Sequence, residues 1–126
     1  DTWLAEASLW SCWTHVGTAE AFDTAVQVLL LTANGLWGTL RRNPEVYKIG
    51  VEYCRQFHRR IVAARPPAAP WPTDLVVPFT DYSDLVFSMD KDVKITIGLS
   101  ALDLDSQHAD FWARHLLPEL RQAWGA

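Results

Sequence analysis

The sequence predicts an α+β fold, in which three or four helices form a predominantly helical bundle and one short antiparallel β-hairpin follows a Pro-rich connector. Apolar residues recur every three or four positions through much of residues 1–64 and again near the C-terminus, as in helices that bury one face. Residues 65–74 contain four prolines, which exclude regular hydrogen-bonded structure. After this connector, two runs of β-type residues flank a short polar loop.

Two helices are expected in the first forty residues. The first has apolar residues three or four positions apart from Trp3 onward and should end at Gly17. Thr18 suits the N-cap of the second, whose apolar residues continue to Leu40, with Asn34-Gly35 as a place to end or kink it early. Residues 24–40 carry no charge, but they are fewer than the roughly twenty residues that span a membrane. We expect a buried helix there.

The third helix has the clearest start signal, the tripeptide Asn43-Pro44-Glu45, and its pattern ends near Ala64. A helical wheel predicts one apolar side and one polar side. The polar side comprises Lys48, Glu52, Arg55, Gln56 and Arg59.

The connector, residues 65–74, is expected to be an extended, polyproline-like spacer, with Trp71 packed back onto the domain. The alternative is a docking peptide for an aromatic-lined groove. In the region 75–98, residues 85–89 and 93–97 are the predicted hairpin strands, and residues 75–79 are a candidate edge strand.

A C-terminal helix is predicted for residues 103–125, kinked or restarted at Pro118. A chain of 126 residues and 14.3 kDa is long enough for one compact domain, so residues 1–126 are expected to form a single globular domain.

Composition limits the classes of partner. The net charge is −4 and the pI is near 5.4, which makes nucleic acid and membranes poor candidates. The sequence carries no phosphate-binding loop and no dinucleotide motif, so no small-molecule substrate is identified. No basic segment precedes an apolar one at the start, so we expect no signal peptide and a cytoplasmic location.

Four residues form a candidate zinc quartet. Cys12 and His15 are three positions apart, and Cys54 and His58 are four apart, which are helical spacings. Two such pairs facing each other would offer Zn²⁺ a tetrahedral Cys₂His₂ set and make a zinc-stabilised structural module. Ordinary packing of two free thiols is favoured over this site, and a disulfide is a third alternative. No cofactor is therefore assigned, with zinc kept open.

A cysteine hydrolase is a further alternative. Ser11-Cys12-Trp13 resembles the Cys-Trp pair at the nucleophile of papain-like and viral leader proteases, in which the helix starts at the Cys. His108 would then act as the base, with Asp105 or Asp110 nearby in the sequence. No catalytic residue is assigned.

The leading hypothesis is a non-catalytic protein-interaction module, such as an inhibitor, an immunity-type protein or an assembly subunit. Seven Trp residues are more than one small core readily buries, and Trp and Arg are enriched in interface hot spots. The candidate binding residues are Trp37, Trp71, Trp124, Arg55 and Arg59. The expected contact is a protein partner or a second copy. At least one or two of Trp3, Trp37, Trp71 and Trp124 should then be solvent-accessible in the free monomer.

Overall fold

The computed structural model describes residues 3–22 and 25–104, with side chains up to residue 102. This part of the chain contains five helices: α1 (Ala7–Trp10), α2 (Ala33–Leu40), α3 (Pro44–Ala63), α4 (Tyr82–Phe87) and α5 (Lys91–Leu104). The chain divides into two compact units, Asp1–Asp90 and Lys91–Ala126. The predicted single domain over residues 1–126 stays a prediction, and most of the predicted C-terminal helix (103–125) lies outside the described residues.

The predicted α+β class is wrong, because the described residues form helices and contain no strand. The two segments expected to pair as a hairpin lie mainly in α4 and α5. The side chain of Asp81 caps α4 by accepting the Ser83 amide at 3.0 Å. Leu85 and Met89, four positions apart, are both buried, as on one helical face. The N-cap and the helical spacing of buried residues together outweigh the β propensity of these short runs. Such propensity depends strongly on structural context.

The candidate edge strand at residues 75–79 is replaced by turns. The Thr73 amide donates to the Val76 carbonyl at 2.8 Å, and Phe79 has a φ of 63°. A chain that reverses at both ends of so short a segment cannot supply an extended strand.

The start of α3 confirms the helix start predicted at Asn43-Pro44-Glu45. The Asn43 side chain accepts the amides of Glu45 at 3.0 Å and Val46 at 3.3 Å, and Pro44 occupies the first turn. The predicted polar side of α3 is not uniformly solvated, since Glu52 is only 3 % exposed and Gln56 is also buried. The Gln56 amide donates to the Glu52 carboxylate at 2.8 Å, which offsets the cost of burying both groups.

The first two helices are shorter than predicted. α1 ends at Trp10, and α2 begins only at Ala33 because the Thr32 hydroxyl caps it by accepting the Gly35 amide at 3.2 Å. The dipeptide predicted to end or kink the second helix therefore lies in its first turn. Residues 18–22 and 25–32 have no helical structure.

A small core joins α1, α3 and α4. Its buried members are Ala7, Phe57 and Leu85, one from each helix. Around them pack the partly buried side chains of Trp10, Trp13, Tyr53, Ile61 and Val77. Trp10 contacts aromatic rings of both neighbouring helices, with its ring centroid 4.9 Å from that of Tyr53 and 6.2 Å from that of Trp37. Aromatic contacts thus join α1 to both α2 and α3.

The connector has no helix or strand, as its prolines predict. It is not extended throughout, because the Ala69 amide donates back to the Arg65 carbonyl at 3.1 Å. Trp71 is 67 % exposed, so the expectation that it packs back onto the domain is wrong. None of the helices within the described residues has the length and apolar character needed to span a membrane.

Candidate protein-interaction surface

The most exposed apolar part of the described chain is the segment AVQVLLL, residues 25–31, called the aliphatic segment below. Val28 is 75 % exposed, Leu29 93 % and Leu30 88 %. None of its seven residues is charged. Soluble monomers rarely expose a continuous apolar stretch of this kind, and such stretches mark sites of interaction.

Contacts on both sides anchor the chain around this segment. On the N-terminal side, the Asp74 carboxylate accepts the Trp13 indole N–H at 2.6 Å and the Val16 amide at 2.6 Å. His15 Nδ1 lies 3.1 Å from the same carboxylate. On the C-terminal side, Thr32 caps α2, and the Trp37 indole N–H donates to the Leu9 carbonyl at 3.3 Å.

Asp74 is held as an anion by these donors. The indole N–H of Trp13, followed by the amide of Val16 and the imidazole of His15, keeps the pKa of the Asp74 carboxyl below its usual value. The connector and residues 13–16 are therefore tied together by a charged acceptor at neutral pH. The Ala5 amide adds a fourth contact by donating to the Asp74 carbonyl at 2.7 Å.

The predicted Trp residues have different roles. Trp71 is exposed, and Trp3 is 62 % exposed, which confirms the expectation that at least one candidate Trp is accessible. Trp37 is half-buried, and its ring packs edge-on against Trp10 and Tyr47. The structure therefore uses Trp37 to hold α2 in place. Trp124 lies outside the described residues.

The two predicted arginines also differ. Arg55 donates to the buried Glu52 carboxylate at 2.5 Å, and Asp90 lies 3.9 Å away. The Arg59 side chain is exposed and has no ion pair or hydrogen bond within residues 3–22 and 25–102. Of the two, Arg59 is free to meet a partner, whereas Arg55 already neutralises a buried charge.

An open pocket of about 280 Å³ lies beside α2 and α3. Trp37, Arg41, Tyr47, Val51 and Cys54 line it. Burial raises the pKa of the Cys54 thiol, which donates to the Trp10 carbonyl at 3.2 Å. The protonated thiol is a weaker nucleophile than the thiolate.

The candidate zinc quartet is dispersed over different structural environments. Cys12 lies beyond the end of α1, so it does not have the helical relation to His15 that the spacing implied. Cys12 and His58 are exposed, and both cysteines are free thiols. Within the described residues, no three His, Cys, Asp or Glu side chains form a group that could hold a metal ion. The zinc module stays a prediction.

The structure does not place the residues of the hydrolase alternative together. Its proposed base, His108, lies outside the described residues, as do Asp105 and Asp110. Cys12 follows the end of a helix and does not begin one, whereas the resemblance implies a nucleophile at a helix start.

The aliphatic segment is the feature that sequence reasoning misses, because its apolar spacing predicts the buried face of a helix. The available signal was Thr32, a good N-cap residue placed directly after the segment. No protein-family model, curated protein sequence or solved structure matches this chain.

Proposed function

We propose that this chain is a non-catalytic protein-interaction module whose contact surface is centred on the aliphatic segment. The observation that carries the proposal is the exposure of four large aliphatic side chains in succession, from Val28 to Leu31. Fully burying one such side chain is worth about 1.5–3 kcal/mol. Binding of a partner that covered the segment would therefore be favoured by several times that free energy, less the entropy lost when the chain is ordered.

Exposed aromatic and basic side chains supplement this surface. Trp71 and Trp3 are accessible, and Trp is the residue most enriched in interface hot spots. Arg59 offers a cation on α3 that has no ion pair within residues 3–22 and 25–102. These three side chains support the hypothesis of an aromatic-rich interface that the sequence suggests. The aliphatic segment is the main apolar part of the proposed interface.

Site-specific photocrosslinking tests the proposal. A photoreactive benzoylphenylalanine is placed at Leu29 and, in a matched control, at Lys48, an exposed position on α3. Each protein is irradiated in an extract of the cells that produce the chain, and adducts are identified by mass spectrometry. We expect discrete adducts from position 29 that are absent from position 48.

Competition supplies the decisive comparison. Excess unlabelled wild-type chain should abolish the adducts at position 29, whereas a chain carrying Leu29→Glu and Leu30→Glu should not. Circular dichroism of the double variant should match the wild type, because neither side chain belongs to the core. Adducts equally abundant at positions 29 and 48, or equally displaced by both competitors, would refute the proposed function.

A further inference from the structure

A cavity of about 140 Å³ lies where the N-terminal residues, α3 and residues 73–80 meet. Ala7, Phe57 and residues 75–77 give it apolar walls, and Glu6 and Thr80 are among its polar walls. Trp3 also lines the cavity and is exposed, so the cavity opens to solvent. Because a cavity of about 150 Å³ holds a benzene molecule, this one has room for about five or six non-hydrogen atoms.

Two hydrogen-bond acceptors on these walls are unused. Glu6 accepts the Trp10 indole N–H at 3.3 Å and the Tyr53 hydroxyl at 3.2 Å, both through Oε1. Its Oε2 has no hydrogen bond or ion pair within residues 3–22 and 25–102. The Thr80 hydroxyl donates to the Val77 carbonyl at 2.7 Å but accepts no hydrogen bond in the same part of the chain.

Asp74, which also lines the cavity, adds negative charge without a free oxygen. Its Oδ1 lies 2.6 Å from the Trp13 indole nitrogen and 3.1 Å from His15 Nδ1, and its Oδ2 accepts the Val16 amide at 2.6 Å. Among the described side chains, no lysine or arginine forms an ion pair with Asp74 or Glu6. Negative charge beside apolar walls favours a cationic ligand.

The acceptors determine the kind of cation. Calcium needs six or more oxygen ligands, and the described residues contain no group of three His, Cys, Asp or Glu that could hold a metal ion. A guanidinium binds best to both oxygens of one carboxylate, whereas Glu6 has only Oε2 to offer. A quaternary ammonium has no N–H with which to use Glu6 or Thr80.

A primary ammonium on a short alkyl chain meets these requirements. It is a compact charge with three N–H donors, and its alkyl stem packs on apolar walls as a lysine stem does. The face of the Trp3 indole adds a cation–π contact at the mouth of the cavity.

We propose that this cavity binds a primary alkylammonium group, which donates to Glu6 Oε2 and to the Thr80 hydroxyl while its stem lies against Phe57 and residues 75–77. The ligand class comprises small alkylamines and the lysine side chain of another protein. No residue of the aliphatic segment lines the cavity, so this inference goes beyond the proposed function and does not rest on it.

Titration with n-butylammonium chloride, followed by the indole N–H signals in ¹⁵N–¹H NMR spectra, tests the site. We expect saturable shifts of the Trp3 and Trp10 indole signals, with a Kd on the order of 1–10 mM for so small a ligand. The signal of Trp71, which does not line the cavity, should stay in place. Neutral n-butanol and tetramethylammonium chloride should bind at least tenfold more weakly.

Variants test the assigned residues. Glu6→Gln keeps an oxygen for Trp10 and Tyr53 but removes the charge, and should weaken n-butylammonium binding about tenfold or more. The matched control Glu20→Gln removes the same charge from an exposed residue outside the cavity and should bind as wild type. Trp3→Leu should weaken binding about threefold through loss of the cation–π contact.

A lysine analogue distinguishes the two sources of the ammonium group. If Nα-acetyl-lysine N-methylamide binds as tightly as n-butylammonium, the cavity accepts a lysine side chain of another protein. If n-butylammonium alone binds, the ligand is a free amine, and the ammonium site stands in both cases.

Three outcomes would overturn the proposal: shifts that do not saturate, equal binding of n-butanol, or undiminished binding by Glu6→Gln. If circular dichroism shows that Glu6→Gln is unfolded, n-butanol and Trp3→Leu decide the question. Trp3 is exposed, so its replacement leaves the fold intact. Undiminished binding by Trp3→Leu together with equal binding of n-butanol would then refute the site.

Discussion

Replacing Arg60 by alanine is expected to lower the free energy of unfolding by about 2 kcal/mol. The Arg60 guanidinium, on α3, donates to three groups of the segment that carries α4. They are the Phe79 carbonyl at 2.7 Å, the Asp84 carbonyl at 3.1 Å and the Ser88 hydroxyl at 2.7 Å. It also donates to the Gln56 carbonyl of its own helix at 2.9 Å. Arg60 thus fixes α4 on α3.

The magnitude follows from the three bonds between these elements. Each net hydrogen bond is worth about 0.5–1.5 kcal/mol, which gives a range of roughly 1.5–4.5 kcal/mol. These hydrogen bonds lie near the surface, so water can bind the three acceptors once the guanidinium is removed. The expected loss of unfolding free energy therefore lies toward the lower end of this range.

Urea unfolding measures the effect, with Arg59→Ala as a matched control. Arg59 has no partner in the described part of the chain, so its removal should change the free energy of unfolding by no more than about 0.5 kcal/mol. Arg60→Lys should recover less than half of the loss, because one ammonium cannot reach all three acceptors. Hydrogen exchange of residues 82–89 should accelerate in Arg60→Ala. A loss no larger than that of Arg59→Ala would show that these bonds do not hold α4.

Three further predictions concern caps, glycines and pH. Asn43→Ala should cost about 1 kcal/mol in thermal or urea unfolding because it removes the N-cap of α3, whereas Asn43→Asp should be near neutral; equal losses would refute the capping role. Gly38→Ala should stabilise α2 by about 0.5–1 kcal/mol, since open space surrounds it. Gly50→Ala should give less or destabilise, because its Cβ would lie 2.8 Å from Leu40, and an equal gain at both positions would contradict this packing. The pKa of Asp74 is lower in the folded chain than in the unfolded chain, so its stabilising effect is present above the ordinary carboxyl pKa and is lost as pH falls through the folded value. Asp74→Asn should flatten the acid side of the pH–stability curve measured by urea unfolding, and an unchanged slope would refute the anchor.

Local signals predicted α3 well. Its cap, its first-turn proline and its periodicity all act within a few residues, and the helix runs from Pro44 to Ala63 as expected. The hairpin prediction failed because β-branched residues in short runs fit either a strand or a helix. The sequence Asp81-Tyr-Ser-Asp84 contained the competing signal, a capping residue followed three positions later by an acid in the first turn of α4.

The candidate surface was only partly predictable. Composition indicated that some Trp side chains would be exposed, but only the tertiary contacts show that Trp71 is accessible and Trp37 is structural. Periodicity describes a helical face without showing whether any element covers it, so it predicts a buried helix where the aliphatic segment is exposed. The burial of Glu52 likewise depends on tertiary contacts, which a helical wheel does not show.

The state of the aliphatic segment can be measured directly by hydrogen–deuterium exchange with mass spectrometry. In a dilute sample shown to be monomeric by sedimentation, the amides of residues 25–31 should exchange at nearly the rate of an unstructured peptide, while those in the middle of α3 stay protected. Adding a partner identified by crosslinking should protect residues 25–31 and leave residues 18–22 unchanged. Protection of residues 25–31 in the monomer would contradict the account, because the segment would then already be paired within the chain.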